Sequence, residues 1–158
     1  MRRGWVGALA LCVVVLGACS GGEIAEEVIE NQEGVQDVDI DEDSGEINID
    51  TDDGSATFGG GEIPDGFPID VPDGGEVQAV IESDGGASVT IVYPGGYDDI
   101  VGFYESWVND SGMEVANRTE SSNPSVVAWI LTTGDGGGAQ ISVADVGDGS
   151  VNVTLITS

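Results

Sequence analysis

Histidine and lysine are absent from this chain, and its only basic residues are Arg2, Arg3 and Arg118. Ser-His, Cys-His and Ser-Lys catalytic pairs are therefore excluded. Both cysteines, Cys12 and Cys19, fall within the first nineteen residues. The remaining chain has no thiol to form a disulfide. It also lacks the nitrogen and sulfur ligands on which catalytic zinc depends. Three basic residues against 30 acidic ones leave a net charge of −27. Such a surface repels phosphate backbones and anionic head groups, so nucleic acid is excluded as a partner. Long apolar runs are missing too. The longest, Trp5 to Gly17, has about 13 residues where a spanning helix needs roughly 20. No glycine-rich phosphate loop follows a strand pattern; the glycines sit in turns. What remains for catalysis is a glycosidase-like carboxylate pair. Among 30 carboxylates suitable spacings arise by chance, so the sequence points away from an enzyme, with a carboxylate-based hydrolase the least favoured alternative.

The start of the chain carries the strongest signal. Arg2 and Arg3 precede the apolar run, which closes on Leu16-Gly17-Ala18-Cys19 and gives way to Ser20-Gly21-Gly22. A charged start, apolar core and small-residue end make a secretory signal. The ending resembles the lipobox of bacterial lipoproteins. That resemblance implies a leader over residues 1–18, cleavage before Cys19, and a diacylglycerol-modified Cys19 as the mature N-terminus. Two or more acyl chains anchor stably where one is marginal. The expected location is the extracytoplasmic face of a bacterial membrane, with the bilayer as a partner through acylated Cys19 and residues 19–22 as the tether.

Residues 23–58 read as a short helix followed by an acidic β-meander. Ile24 and Val28 stand four apart among Glu23, Glu26, Glu27 and Glu30, predicting a helix from Glu23 to Asn31. Val38 and Ile40, Ile47 and Ile49, and Ala56 and Phe58 then alternate with polar residues, split by Asp43-Ser44-Gly45 and Asp52-Asp53-Gly54. Alternation between turn signals predicts strands with one apolar and one acidic face. Residues 59–75 form a connector with Pro64, Pro68 and Pro72. Proline at that density blocks helix and central strand, so an extended segment packed through Ile63, Phe67, Ile69 and Val71 is expected.

Residues 76–158 carry the main domain. Two alternating strands surround Asp84-Gly85-Gly86. A helix follows, with Ile100, Val101, Phe103, Tyr104, Trp107 and Val108 as its apolar stripe and Gly112 at its end. Four more strands are predicted. Val126 to Leu131 is a continuous apolar run and reads as a central strand buried on both faces. The expected fold class is therefore α+β: an antiparallel sheet with one main helix in the order β-β-α-β-β-β-β, preceded by the short helix and the meander. One helix cannot cover both faces of such a sheet, so the meander or the connector is expected to pack on the second.

The lipobox, the acidic meander, the segment Ile63-Pro64-Asp65-Gly66-Phe67-Pro68-Ile69-Asp70-Val71-Pro72 and the stretch from Phe103-Tyr104-Glu105 to Gly112-Met113 together resemble a family of uncharacterised bacterial lipoproteins with a domain of unknown function. The resemblance implies a shared fold and no reaction.

Two further features ask for a ligand. Asp39, Asp41, Asp43 and Asp50 echo positions 1, 3, 5 and 12 of a calcium-binding EF-hand loop. Position 6 is Ser44 instead of glycine, and helical flanks are missing. Side chains on one strand face are about 6.7 Å apart, too far to converge on calcium at about 2.6 Å. A site would need the turns, from Asp41 and Asp43 with Asp52 or Asp53, and a solvated acidic face is the favoured reading. Trp107 and Trp129 sit in apolar patterns that favour core packing; Trp129 is the candidate protein-partner surface if the sheet is left uncovered. The overall expectation is a monomeric, lipid-anchored, non-catalytic binding or envelope-structural module without a cofactor. A weak calcium-responsive protein is the alternative.

Overall fold

The computed structural model describes residues 34–158 except residue 135. The helix expected at Glu23–Asn31, the leader and Cys19 lie outside the described residues. The described elements are β1 (Val35–Asp41), β2 (Glu46–Thr51), β3 (Gly54–Phe58), β4 (Glu76–Ser83), β5 (Gly86–Tyr93), α1 (Tyr97–Asp110), β6 (Glu114–Ser122), β7 (Ser125–Thr132), β8 (Gly138–Asp145) and β9 (Val151–Thr157).

All nine strands join one sheet in the order β1-β2-β3-β4-β5-β9-β8-β7-β6, with every pairing antiparallel. Hairpins build β1 to β5. The chain then leaves through α1, reaches the far edge as β6, and returns until β9 slots beside β5. The α+β expectation is overturned: the described chain is predominantly one antiparallel sheet with a single helix. The meander is no separate unit, because Ala56 pairs with Ile81 and Phe58 with Ala79 across β3 and β4. A strand edge offers unpaired N–H and C=O groups to any neighbour, and the connector returns the chain so that β4 takes that edge.

The register gives each face a distinct character, because opposite residues in a pair share a face. One row on the first face runs Asp39, Asn48, Thr57, Val80, Val89, Leu155, Ile141, Trp129, Arg118. It is acidic at one edge, apolar in the centre and basic at the other. The core lies on this face, where Val89, Ile141, Val143, Val153 and Leu155 are fully buried. Ile100, Tyr104 and Val108, four residues apart along α1, pack into it. Asp98 and Asp99 suit the positive end of that helix. The proline connector shares the same face. Ile69 is buried in the cluster, with Ile63, Phe67 and Val71 against it, and the Tyr93 hydroxyl donates to Pro72 O at 2.9 Å.

On the second face, one row runs Val38, Ile49, Ala56, Ile81, Ser88, Ile156, Gln140, Ile130, Asn117. The next runs Ile40, Ile47, Phe58, Ala79, Thr90, Thr154, Ser142, Ala128, Thr119. Neither the connector nor the meander lies over it, contrary to expectation. The connector is drawn to the first face by the larger apolar side chains there, and the meander spends its edge on hydrogen bonding to β4. Nor is β7 buried on both sides. Val127, Trp129 and Leu131 are buried on the first face, while Ile130 is 45% exposed on the second.

Candidate functional site

The candidate metal ligands are spread along the meander. Asp39 faces outward from β1 opposite Asn48, and Asp50 stands opposite Asp37. Asp41 ends β1, where its Oδ1 accepts from the backbone N–H groups of Asp43 at 2.8 Å and Ser44 at 3.2 Å. Those bonds hold its carboxyl below the ordinary value and make it the cap of a turn. Asp43 lies in that turn, while Asp52 and Asp53 lie in the turn between β2 and β3. The two turns are at opposite ends of β2, six residues long, which is about 20 Å. Asp41 and Asp43 therefore cannot share an ion with Asp52 or Asp53. Among the described residues no group of three or more aspartate, glutamate, histidine or cysteine side chains is placed to hold a metal.

A groove does form beside the meander on the first face. It is lined by Glu46, Glu62 and Glu82 with Asn48, Ser55, Thr57, Gly61 and Val80, and its volume is about 510 Å³. Thr57 Oγ1 donates to Asn48 Oδ1 at 2.7 Å, and Asn48 Nδ2 donates to Glu46 Oε1 at 3.0 Å. This relay orients one carboxylate toward an open, acidic trough.

Trp129 is 2% exposed and belongs to the core. Arg118 covers its ring at 5.7 Å from the centroid. The guanidinium also bonds Glu105 Oε1 at 2.9 Å and Glu120 Oε2 at 2.8 Å, and these partners raise its pKa. The structure thus places Trp129 under a polar lid and offers none of its ring as a partner surface. Trp107 is half-buried against the same core. Beneath α1, the Tyr104 hydroxyl is buried without a hydrogen bond of acceptable geometry, although Tyr93 lies close by. Burial pushes the Tyr104 hydroxyl well above its ordinary range, with Tyr93 adding to it, and pushes Tyr93 up to about 12.

The second face of the sheet is marked by no single residue. The two complete rows of the second face contain eighteen positions and no ionisable side chain, in a chain with 30 acidic residues. Carboxylates touch this face only at its rim, as Glu76 opposite Val92 and Glu114 opposite Thr132. Ile81, Ile130 and Ile156 remain 44%, 45% and 37% exposed. A signal was present: in β5, β7, β8 and β9 the positions alternating with the core residues are glycine, serine, threonine, asparagine, glutamine or apolar residues, never acids. An uncharged, partly apolar face of this extent can bury itself against a partner without desolvating a charge. Comparison of the chain with protein-family models, curated proteins and solved structures finds no match.

Proposed function

We propose that this protein is a lipid-anchored component of a bacterial envelope, held at the outer side of a membrane by acylated Cys19. Its folded domain acts as a non-catalytic binding module that presents a sheet face instead of a pocket. The supporting observation is the uncharged second face, on which Ile81, Ile130 and Ile156 stay exposed, opposite a covered first face on a strongly acidic chain. The order of Arg2, Arg3, the apolar run and Leu16-Gly17-Ala18-Cys19 supports the anchor. Among the described residues no helix is long and apolar enough to cross a membrane.

Two measurements test this reading on the full chain in bacterial cells. The wild type is expected in the detergent phase on cloud-point partition, and Cys19→Ala in the aqueous phase. Equal partition of both defeats the anchor. A photo-crosslinking residue at position 130 is expected to form adducts that the same residue at position 98, on exposed α1, does not. Adducts at 98 alone, or at neither position, defeat the binding face.

A further inference from the structure

We infer that the second sheet face is a self-association surface, on which two copies of this chain pack face to face about a two-fold axis. The inference rests on the reading that the open face is the binding surface, and it replaces the monomer expected from sequence. It follows from three observations: charge, shape and area.

Charge selects the occupant. Once the leader with Arg2 and Arg3 is removed, each copy sets 30 acidic residues against Arg118 alone, so two copies meeting through most of their surface would press carboxylates together. The second face sets neutral residues against neutral residues. A cationic partner would gain nothing there, because the acids of β1 and β2 (Asp37, Asp39, Glu46 and Asp50) project from the first face. An acyl-chain layer would strand the amides and hydroxyls of Gln140, Asn117, Thr90 and Thr154 without hydrogen-bond partners.

Shape supports a two-fold pair. Place the axis between the sheets, parallel to the rows and midway between the two complete rows. Each strand then faces its own copy, and one row faces the other. Ile81 meets Ala79, Ile156 meets Thr154, and Ile130 meets Ala128, so each exposed isoleucine lands on a smaller residue. At the rim Glu76 meets Ser83 and Glu114 meets Ser121, which keeps like charges apart. Isologous contacts of this kind are self-complementary by construction.

Area suffices. Val38 is buried on this face at the β1 edge, so the open part is counted over the seven strands from β3 to β6. At about 4.8 Å each they span about 34 Å, and the complete rows with their flanking positions span about 20 Å along the strands. That is roughly 700 Å² per copy, close to the share of about 800 Å² that each partner gives to a standard stable interface.

The test is sedimentation equilibrium of the purified full chain in detergent, corrected for bound detergent. A dimer is expected, tightening as sodium chloride rises because salt screens the mutual repulsion. Ile130→Glu and, at a polar position of the second row, Ser142→Glu should each weaken it at least ten-fold while far-ultraviolet circular dichroism stays unchanged. Val115→Glu, on the first face, should leave it intact. A wild type that stays monomeric at about 100 μM in high salt overturns the inference, as does a dimer indifferent to both face variants. The crosslink at position 130 separates the two levels of failure. An adduct of twice the chain mass supports the pair. An adduct of another mass preserves the binding face and overturns self-association. No adduct removes the binding face itself.

Discussion

The first three strands and the last six share one hydrogen-bonded sheet yet are stabilised by different means. In β1 to β3 only Val38 is buried, and no residue of these strands belongs to the main cluster. From β4 to β9 the first face is closed by α1 and the proline connector, and ten side chains there, in the helix and in the connector rank as fully buried. The difference teaches that backbone pairing carries a strand into a sheet, whereas a second layer makes it costly to remove. The meander is a low-stability extension on a well-packed body, and its acidic first face contributes repulsion where the body contributes burial.

The largest expected effects compare core truncations. Leu155→Ala, in the strand inserted between β5 and β8, should cost about 2–5 kcal/mol. Ile49→Ala, half-buried in β2, should cost about 1 kcal/mol. Chemical denaturation measures both; equal losses would erase the distinction between the regions. Next come two glycines at matched positions. A Cβ on Gly54 would sit 1.9 Å from Glu82 O, and one on Gly86 1.9 Å from Thr157 O, at φ of +156° and +143°. Alanine at either position should cost about 1–3 kcal/mol locally. Hydrogen exchange should show Gly54→Ala loosening β1 to β3 alone and Gly86→Ala loosening the β5–β9 seam. The reverse pattern would mean the meander supports the body.

Titration sharpens the contrast further. Tyr93 and Tyr104 lie in the body, with folded pKa values raised chiefly by burial. A raised phenol pKa means stability fully present below the ordinary value of 10.0 and lost as pH climbs toward about 12. Alkaline unfolding, followed by tyrosinate absorbance, should therefore begin in the body. Asp41 in the meander and Asp148 in the body are both lowered by hydrogen bonds, from Ser44 and Asp43 to the first and from Ser150 to the second. Their contribution is present above the ordinary 3.8 and lost as pH falls through the lower folded values. Carboxylate resonances followed below pH 3.8 check this; midpoints at or above 3.8 would contradict the turn geometry. The smallest effect concerns Asp37, directly opposite Asp50. Asp37→Asn should stabilise the β1–β2 hairpin by about 0.2–1 kcal/mol, less at high salt. A denaturation midpoint unchanged at low salt would show that the pair does not repel.

Much of the local structure was legible in the residues. Alternation placed Val38, Ile40, Ile47, Ile49, Ala56 and Phe58 on one face, and the register confirms that grouping. The stripe Ile100, Tyr104 and Val108 marked α1, and Ile63, Phe67, Ile69 and Val71 marked a packed connector. The candidate calcium ligands and Trp129 were read in the sequence chiefly as a solvated acidic face and as core. Asp43 and Asp52 lie in the turns before and after β2, so the length of that strand separates them. The apolar pattern around Trp129 was legible as core, but the cover that Arg118 provides depends on pairing between β6 and β7.

By itself the amino-acid sequence determined where strands and the helix form, which residues share a face, and that the surface is overwhelmingly acidic. Side-chain periodicity carries that information because each strand turns alternate residues to opposite sides. Only the tertiary structure decided that β3 continues into β4, that β9 enters between β5 and β8, and that the connector lies on the helix side. Backbone N–H and C=O groups are the same in every strand, so edges do not announce their partners. Choosing among them falls to the burial of whole faces. That choice left the middle of one sheet face without charge and, among the described residues, kept Ile81, Ile130 and Ile156 exposed on it.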